Sequence, residues 1–155
     1  MKKVLLGLLV AGALSVGVFF YLREYLAKAE IHTRIDNMIE QTNGYRHGLS
    51  TKDDDLLAYF VIDKYDQTAP HPYQWLETWK AENWNPDFER KITEVNILEH
   101  TPTDAKVEFT VLEGLKGNEQ KGLKAAQSSF KYDANLTFDT GANLWKIRSL
   151  RRKGG

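Results

Sequence analysis

The sequence predicts an α+β protein in which an N-terminal transmembrane helix precedes helices packed on a curved antiparallel sheet. Three observations lead to this fold class. Residues 4–22 carry no charge, and apolar residues recur at helical spacing over several later stretches as far as residue 84. From Ile92 onward the pattern changes to alternation of apolar and polar residues, which is typical of strands with one buried face. Helices followed by strands, without regular alternation of the two, indicate an α+β architecture.

The first element is the uncharged run of nineteen residues from Val4 to Leu22. A helix of that length rises about 28 Å, close to the roughly 30 Å hydrocarbon core of a bilayer. Lys2 and Lys3 precede the run, whereas the charges that follow it cancel, so we expect the N-terminus to stay in the cytoplasm. The expected location is the inner membrane of a bacterium, with a single pass and a periplasmic C-terminal domain.

A cleaved signal peptide is the alternative interpretation of this segment. Ala27-Lys28-Ala29 has the small-x-small pattern of a cleavage site. The apolar part of a signal peptide usually covers only about 7–15 residues, however, and leads into small polar residues. Here a longer run is followed directly by Arg23 and Glu24. Length and flanking charges therefore favour a retained anchor.

Small residues recur at every fourth position inside the run, at Gly7, Ala11 and Ser15. Small residues at this spacing let two membrane helices approach closely, so these three are candidates for a helix–helix interface. The alternative is that small residues are simply common in membrane helices.

Composition limits the remaining chain to one domain. We place the anchor and its helical extension at residues 1–30, a periplasmic domain at 31–150 and a basic tail at 151–155. The domain length is enough to bury a single core. Twenty-one basic residues balance twenty-one acidic ones, so no overall field favours nucleic acid. The absence of cysteine in the sequence excludes disulfides, thiol catalysis and thiolate metal sites.

Two helices are predicted before residue 62. The helical pattern of the anchor continues to about Ile39 without a proline. Asp53, Asp54 and Asp55 follow Ser50 and Thr51, and carboxylates in a first turn stabilise a helix through its dipole. We expect that second helix to carry its apolar face through Leu56, Leu57, Phe60 and Val61. The aspartates lack the alternate spacing of a calcium loop.

A third helix is predicted over residues 73–84, after Pro70 and Pro72. It contains three tryptophans, of which Trp75 and Trp79 lie four residues apart and share a face. Core packing is one role for these rings. Contact with a partner is the second, because tryptophan is enriched at interface hot spots, and lining a ligand pocket is the third.

Four strands are predicted after Pro86. The first contains Ile92, Val95 and Ile97, and the second alternates between Ala105 and Val111. The third has the most regular alternation, over residues 130–138, and the last returns over residues 144–150 after an Asp-Thr-Gly-Ala-Asn turn. Strands joined by short turns predict a curved meander with one wet face.

Residues 33–150 carry a family resemblance. Helices come first, and the bent meander contains the segments 105–109, 130–138 and 144–147. This layout resembles the cone-shaped fold of the nuclear transport factor two-like (NTF2-like, cystatin-like cone) superfamily. The resemblance implies a cone that binds small ligands, performs catalysis or forms dimers.

With its N-terminal anchor, the layout is also similar to the VirB8-like inner-membrane component of type IV secretion systems. Residues 59–66 resemble a helical Tyr-Val-x-x-Arg-Glu-x-Tyr-Asp region of that family, with Asp63-Lys64 in place of Arg-Glu. The resemblance implies a membrane-anchored scaffold or assembly subunit of an envelope complex, serving secretion or conjugation. The expected partners are the lipid bilayer, other subunits of that complex and a second copy of this chain, but not nucleic acid.

Catalysis is the weaker interpretation of the same fold. It would use a secreted or anchored cone as a small-ligand-binding protein or an isomerase-like or hydrolase-like enzyme, with polar groups converging inside. The available candidates are Asp63, Tyr65, Asp66 and His71, with Tyr132 and Trp145 as pocket walls. His32, His47 and His100 are scattered along the sequence without helical pairing, which gives little support to a metal site. We therefore expect no catalytic residue, cofactor or metal, and interface candidates at Gly7, Ala11, Ser15, Trp75 and Trp79.

Overall fold

The computed structural model describes residues 2–45, 53–117, 122 and 124–154, and in the first helix it describes side chains from Val18 onward. The chain divides into two compact units, Met1–Thr33 and Arg34–Gly155. The helices are α1 (Lys2–Gly44), α2 (Asp53–Leu57) and α3 (Pro72–Glu82), with a 3-10 turn at Ile62–Lys64. The strands are β1 (Phe88–His100), β2 (Asp104–Leu115), β3 (Ala126–Asp139) and β4 (Leu144–Arg152).

The first unit consists of one helix. Among the described residues, no helix has an apolar stretch long enough to cross a membrane. Gly7, Ala11 and Ser15, proposed as a helix–helix interface, lie outside the described side chains. The membrane anchor and this interface therefore stay predictions.

The sheet is an antiparallel meander with strand order β1-β2-β3-β4, as the sequence predicts. The register shifts twice in β1, between Ile92 and Glu94 and between Ile97 and Glu99. The pairing of β3 with β4 shifts once, next to Asn135. An extra residue on one strand bends it and increases its twist, so these shifts contribute to the curvature of the sheet.

The α+β class is confirmed, because helices cover one face of the sheet. The α3 side chain of Trp75 contacts Tyr132 of β3, with ring centroids 6.0 Å apart, and its indole N–H donates to the Leu150 carbonyl at 3.3 Å. At the β1 edge, the Asn43 side chain donates to the Arg90 carbonyl at 2.8 Å and accepts the Arg90 N–H at 2.6 Å. These bonds fix the last turn of α1 against β1.

Helix α2 is shorter than the sequence predicts, because it ends at Leu57 and does not continue through Phe60 and Val61. Those residues instead lie beside β4. The Tyr59 carbonyl accepts the Ile147 N–H at 2.8 Å, and the Val61 N–H donates to the Ile147 carbonyl at 3.0 Å. This pairing gives hydrogen-bond partners to the backbone groups on the open edge of β4. A further turn of α2 would leave those groups of β4 without these partners.

Strand β4 is longer than predicted, since it includes Arg151 and Arg152, which we placed in a basic tail. Arg152 pairs with Tyr132 across the sheet, and its guanidinium group reaches carboxylates on the helix-covered face. These ionic partners explain why the chain stays in the sheet to this point.

Candidate functional site

The inward face of β2 changes from apolar to ionic at one residue. Val107, Phe109 and Val111 alternate along this face and are fully buried. The next inward position is Glu113, whose side chain is only 2% exposed. A buried carboxylate is costly unless charges or hydrogen bonds compensate it, so its surroundings define the first candidate site.

Compensation comes from the neighbouring strands. Arg90 pairs with Glu113 across the β1–β2 ladder, and its Nε lies 3.8 Å from Glu113 Oε2. The Tyr132 hydroxyl donates to Glu113 Oε1 from the other side. Arg152 of β4 brings Nη2 to 3.3 Å from Glu113 Oε2. Each of the four strands therefore contributes one side chain.

The end of α3 completes this arrangement. Glu82 accepts from Arg90 at 2.5 Å and from Arg152 at 3.1 Å. Asn83 accepts from Arg90 at 2.7 Å and donates to the carbonyls of Thr42 and Tyr45, which terminate α1. We call the set of Glu82, Asn83, Arg90, Glu113, Tyr132 and Arg152 the interior cluster.

Burial sets the protonation behaviour of the interior cluster. Burial raises the pKa of the Glu113 carboxyl, although the Tyr132 hydroxyl and the two arginines oppose this rise. Burial, followed by the charge of Glu113, raises the pKa of the Tyr132 phenol well above its usual range. Two arginines balance two glutamates, so a neutral set is the lowest-cost arrangement of these ions inside a protein.

The polar groups of the interior cluster face one another, and Arg90 Nε and Glu113 Oε2 make ion-pair contacts without a hydrogen bond. One Glu113 oxygen accepts from Tyr132, and the other faces both guanidinium groups. A general base needs to reach a proton on the substrate, whereas Glu113 is 3% and Tyr132 is 2% exposed. Arg90 and Arg152 link the sheet to Glu82 of α3, and the buried Glu113 and Tyr132 offer no open face to a substrate.

The four catalytic candidates from the sequence have structural roles, and only Tyr65 and His71 among them are in ring contact, with centroids 6.0 Å apart. The Tyr65 hydroxyl accepts the Leu150 N–H at 2.9 Å. Asp66 accepts the Thr68 N–H at 2.8 Å, and this backbone bond is the main reason why the pKa of its carboxyl is lowered. His71 caps α3, and Asp63 is exposed in the 3-10 turn. These residues do not converge inside the cone.

The tryptophans divide into buried and exposed groups. Trp75 and Trp79 are 5% and 1% exposed, which corresponds to the core-packing alternative, and their stacked rings lie 5.8 Å apart. Trp145, proposed as a pocket wall, is buried against Phe138 and His100. Trp84 is 79% exposed.

A surface cleft of about 430 Å³ lies near the β1–β2 turn. It contains Asp66 and His100 together with several charged side chains. Those charges have partners, since Arg148 lies 3.4 Å from Asp104 and Lys106 lies 3.5 Å from Glu99. The remaining carboxylate, Asp66, pairs with Arg151 outside the lining at 3.1 Å. All five charges of this polar cleft therefore already have ionic partners.

Sequence analysis missed Arg90, Glu113 and Arg152. A signal for Glu113 exists, because it continues the inward spacing of Val107 and Val111 with a charged residue. Its partners depend on strand register, which the alternation alone does not define.

Comparison with solved structures defines the class of fold. A protein from Novosphingobium aromaticivorans, described as a candidate aromatic ring hydroxylase, aligns with a TM-score of 0.55 and 12% identity. That alignment covers 85% of this chain and 89% of the other. Aln2 from Streptomyces sp. aligns with a TM-score of 0.58 and 10% identity, over 81% of this chain and 88% of the other. The chain therefore has an NTF2-like cone fold.

The comparisons go no further than this class. No family model matches the sequence, and no curated protein matches it significantly. Because both structural neighbours are far below 25% identical to this chain, they support its fold and leave its activity to be argued from its own residues.

Proposed function

We propose that this protein is a membrane-anchored, non-catalytic scaffold subunit of a bacterial envelope complex. The observation that carries the proposal is the interior cluster, which fills the helix-covered side of the sheet with the protein's own side chains. Glu113 and Tyr132 have their polar groups directed at each other and at Arg90 and Arg152. A cone filled by its own side chains favours an interaction domain.

The anchor supplies the location in this proposal. The uncharged residues 4–22 and the preceding Lys2 and Lys3 favour a single pass with the folded domain in the periplasm. Within this class we propose a role in type IV secretion or conjugation, on the sequence resemblance of residues 59–66. The resemblance is one of sequence alone, because these residues lie beside β4 and in a 3-10 turn and not in an α-helix. Tethering also raises the local concentration of the domain for its partners.

The second candidate function is ligand binding or catalysis inside the cone. The observation that favours it is the buried carboxylate–phenol pair of Glu113 and Tyr132, because buried groups of perturbed pKa are frequent at active sites. This function requires the interior cluster to open. Glu113→Gln would then abolish ligand binding, whereas a scaffold would keep its partners as long as the variant stays folded.

The first test concerns the predicted helix–helix interface at Gly7, Ala11 and Ser15, which we call the membrane seam. The chain with Gly7→Ile and Ala11→Ile is expected to lose crosslinking to itself or to neighbouring subunits in native membranes, because larger side chains separate closely packed helices. The matched control is Leu5→Ile with Leu9→Ile, which has the same spacing and no gain in size. Equal crosslinking in both variants would contradict an assembly role for this seam.

Location is tested separately by labelling. A single cysteine at exposed Trp84 is expected to react with a membrane-impermeant maleimide in intact spheroplasts, since the domain would face the periplasm. A cysteine at Lys2 is the matched control, because it would react only after the membrane is permeabilised. The reverse pattern would contradict the N-in orientation, and recovery of Trp84→Cys in the soluble fraction would contradict the anchor.

A further inference from the structure

The first described side chains of α1, from Val18 onward, include an unusual density of exposed apolar residues. Seven of them lie between residues 18 and 26, and each is between 50% and 70% exposed. They are Val18, Phe19, Phe20, Tyr21, Leu22, Tyr25 and Leu26. Soluble helices usually expose charged and polar residues instead.

These side chains point in all directions around the helix. Successive residues turn by about 100°, so Phe19, Phe20 and Tyr21 alone cover most of the circumference. No single neighbouring surface could cover them, because an amphipathic helix buries only one stripe. An apolar environment on every side is what a lipid bilayer provides.

The residue types identify one depth in the bilayer. Tyrosine is enriched at both membrane–water interfaces, where its ring lies among apolar groups and its hydroxyl contacts water. Tyr21 and Tyr25 are one helical turn apart, and Arg23 lies between them. Leu26 and Ala27 follow Tyr25, and the next charged residue is Lys28, which pairs with Glu24 at 2.6 Å.

We propose that Tyr21, Arg23 and Tyr25 form an interfacial collar. The collar lies where the periplasmic face of the inner membrane meets water, and it sets the depth of the anchor. This inference rests on the proposed membrane location and adds its boundary. Residues 4–20 then lie in the hydrocarbon core. The helix continues from Tyr25 to Thr33 for about 12 Å, which exceeds the roughly 6 Å of the headgroup region on one side.

Spin labelling of the full chain tests this boundary. The protein contains no cysteine, so one nitroxide can be placed in turn at each position from 18 to 33. The chain is reconstituted in vesicles of phosphatidylethanolamine and phosphatidylglycerol, and collision with oxygen is compared with collision with a nickel chelate. We expect the depth to decrease by about 1.5 Å per residue and to reach the aqueous value between Tyr25 and Lys28.

Failure of the collar and failure of the anchor give different results. A boundary between Val18 and Glu24, or beyond Lys28, overturns the collar while the anchor stands. Aqueous values at every position overturn both the collar and the membrane location. A 3.6-residue oscillation overturns the collar in favour of a helix lying in the interface plane or against another protein.

A paired substitution tests the tyrosines themselves. Tyr21→Leu with Tyr25→Leu keeps the helix apolar and removes both hydroxyl groups. We expect the boundary to move by about one turn, roughly 5 Å, toward the C-terminus. Leu22→Ile with Leu26→Ile has the same spacing and is expected to leave the boundary in place. An unchanged boundary in the tyrosine variant would overturn the role of these residues.

Discussion

Replacing Arg90 tests whether the interior cluster stabilises the cone as a unit. The Arg90 side chain is fully buried, and it bonds to Asn83 at 2.7 Å and to Glu82 at 2.5 Å. Arg90→Met removes both bonds and one of the two cations that face Glu113. Removing one partner of a buried ion pair costs about 3–5 kcal/mol. Glu82 is 26% exposed and can regain water, so we expect the loss to arise mainly at Asn83 and Glu113.

A double-mutant cycle separates this coupling from simple loss of packing. Glu113→Gln in the Arg90→Met background removes the carboxylate that has lost one of its two cations. We expect the double variant to be less destabilised than the sum of the single variants by at least about 1 kcal/mol. The matched control is Lys106→Met, which breaks an exposed pair with Glu99 and is expected to cost less than about 1 kcal/mol.

The pH dependence of the cycle follows from the sign of the Glu113 shift. Burial raises the pKa of this carboxyl above its unfolded value, so charged Glu113 lowers stability as pH rises through the raised pKa. Loss of the Arg90 cation raises that pKa further. The destabilisation caused by Arg90→Met should therefore shrink when pH is lowered from about 7 to about 5, and Glu113→Gln should abolish this change.

Urea titration of the full chain in nanodiscs, followed by tryptophan fluorescence, measures these free energies. Every tryptophan lies between residues 75 and 145, so the signal reports the second unit. A cost of under about 1 kcal/mol for Arg90→Met, or strict additivity with Glu113→Gln, would refute the reasoning. The ion pairs of the interior cluster would then contribute independently and as weakly as exposed ion pairs do.

Two further predictions concern packing and backbone conformation, and the same urea titration checks them. Trp79→Ala should cost about 3–5 kcal/mol because the ring is 1% exposed, whereas Trp84→Ala, at 79% exposed, should change stability by less than about 0.5 kcal/mol; equal effects would contradict the assigned packing. Gly114 has a φ of +139°, and an added Cβ would collide with the Ala126 carbonyl, so Gly114→Ala should destabilise by about 1–3 kcal/mol. Gly141→Ala meets only an ordinary contact and should be near neutral; a larger loss there than at Gly114 would overturn the strain argument.

The sheet could be predicted from the sequence because each strand has one wet and one dry face. Alternation over residues 130–138 indicates β3, and Tyr132, Ala134 and Leu136 are indeed buried. The third helix was also predictable, since Pro72 begins α3 and the tryptophan spacing follows one face. These signals are local, so periodicity is sufficient to find them.

The interior cluster could not be assembled from the sequence in the same way. Glu82, Arg90, Glu113 and Arg152 are separated by up to seventy residues and meet only through strand register and the end of α3. The predicted length of α2 was wrong for a related reason. The backbone groups of Tyr59 and Val61 bond to Ile147 on the edge of β4 instead of continuing the helix. Helix propensity is a local quantity and does not include this distant strand.

The Asn43 side chain affects how readily the β1 edge of one copy could pair with the edge of another copy. Its amide bonds to both backbone groups of Arg90 as a neighbouring strand would, and two register shifts interrupt β1 further along. A sheet edge divided into such short stretches is a poor template for edge-to-edge aggregation. In the proposed membrane location, copies of the protein would share one plane and meet frequently. The interrupted β1 edge would then disfavour their pairing into fibres.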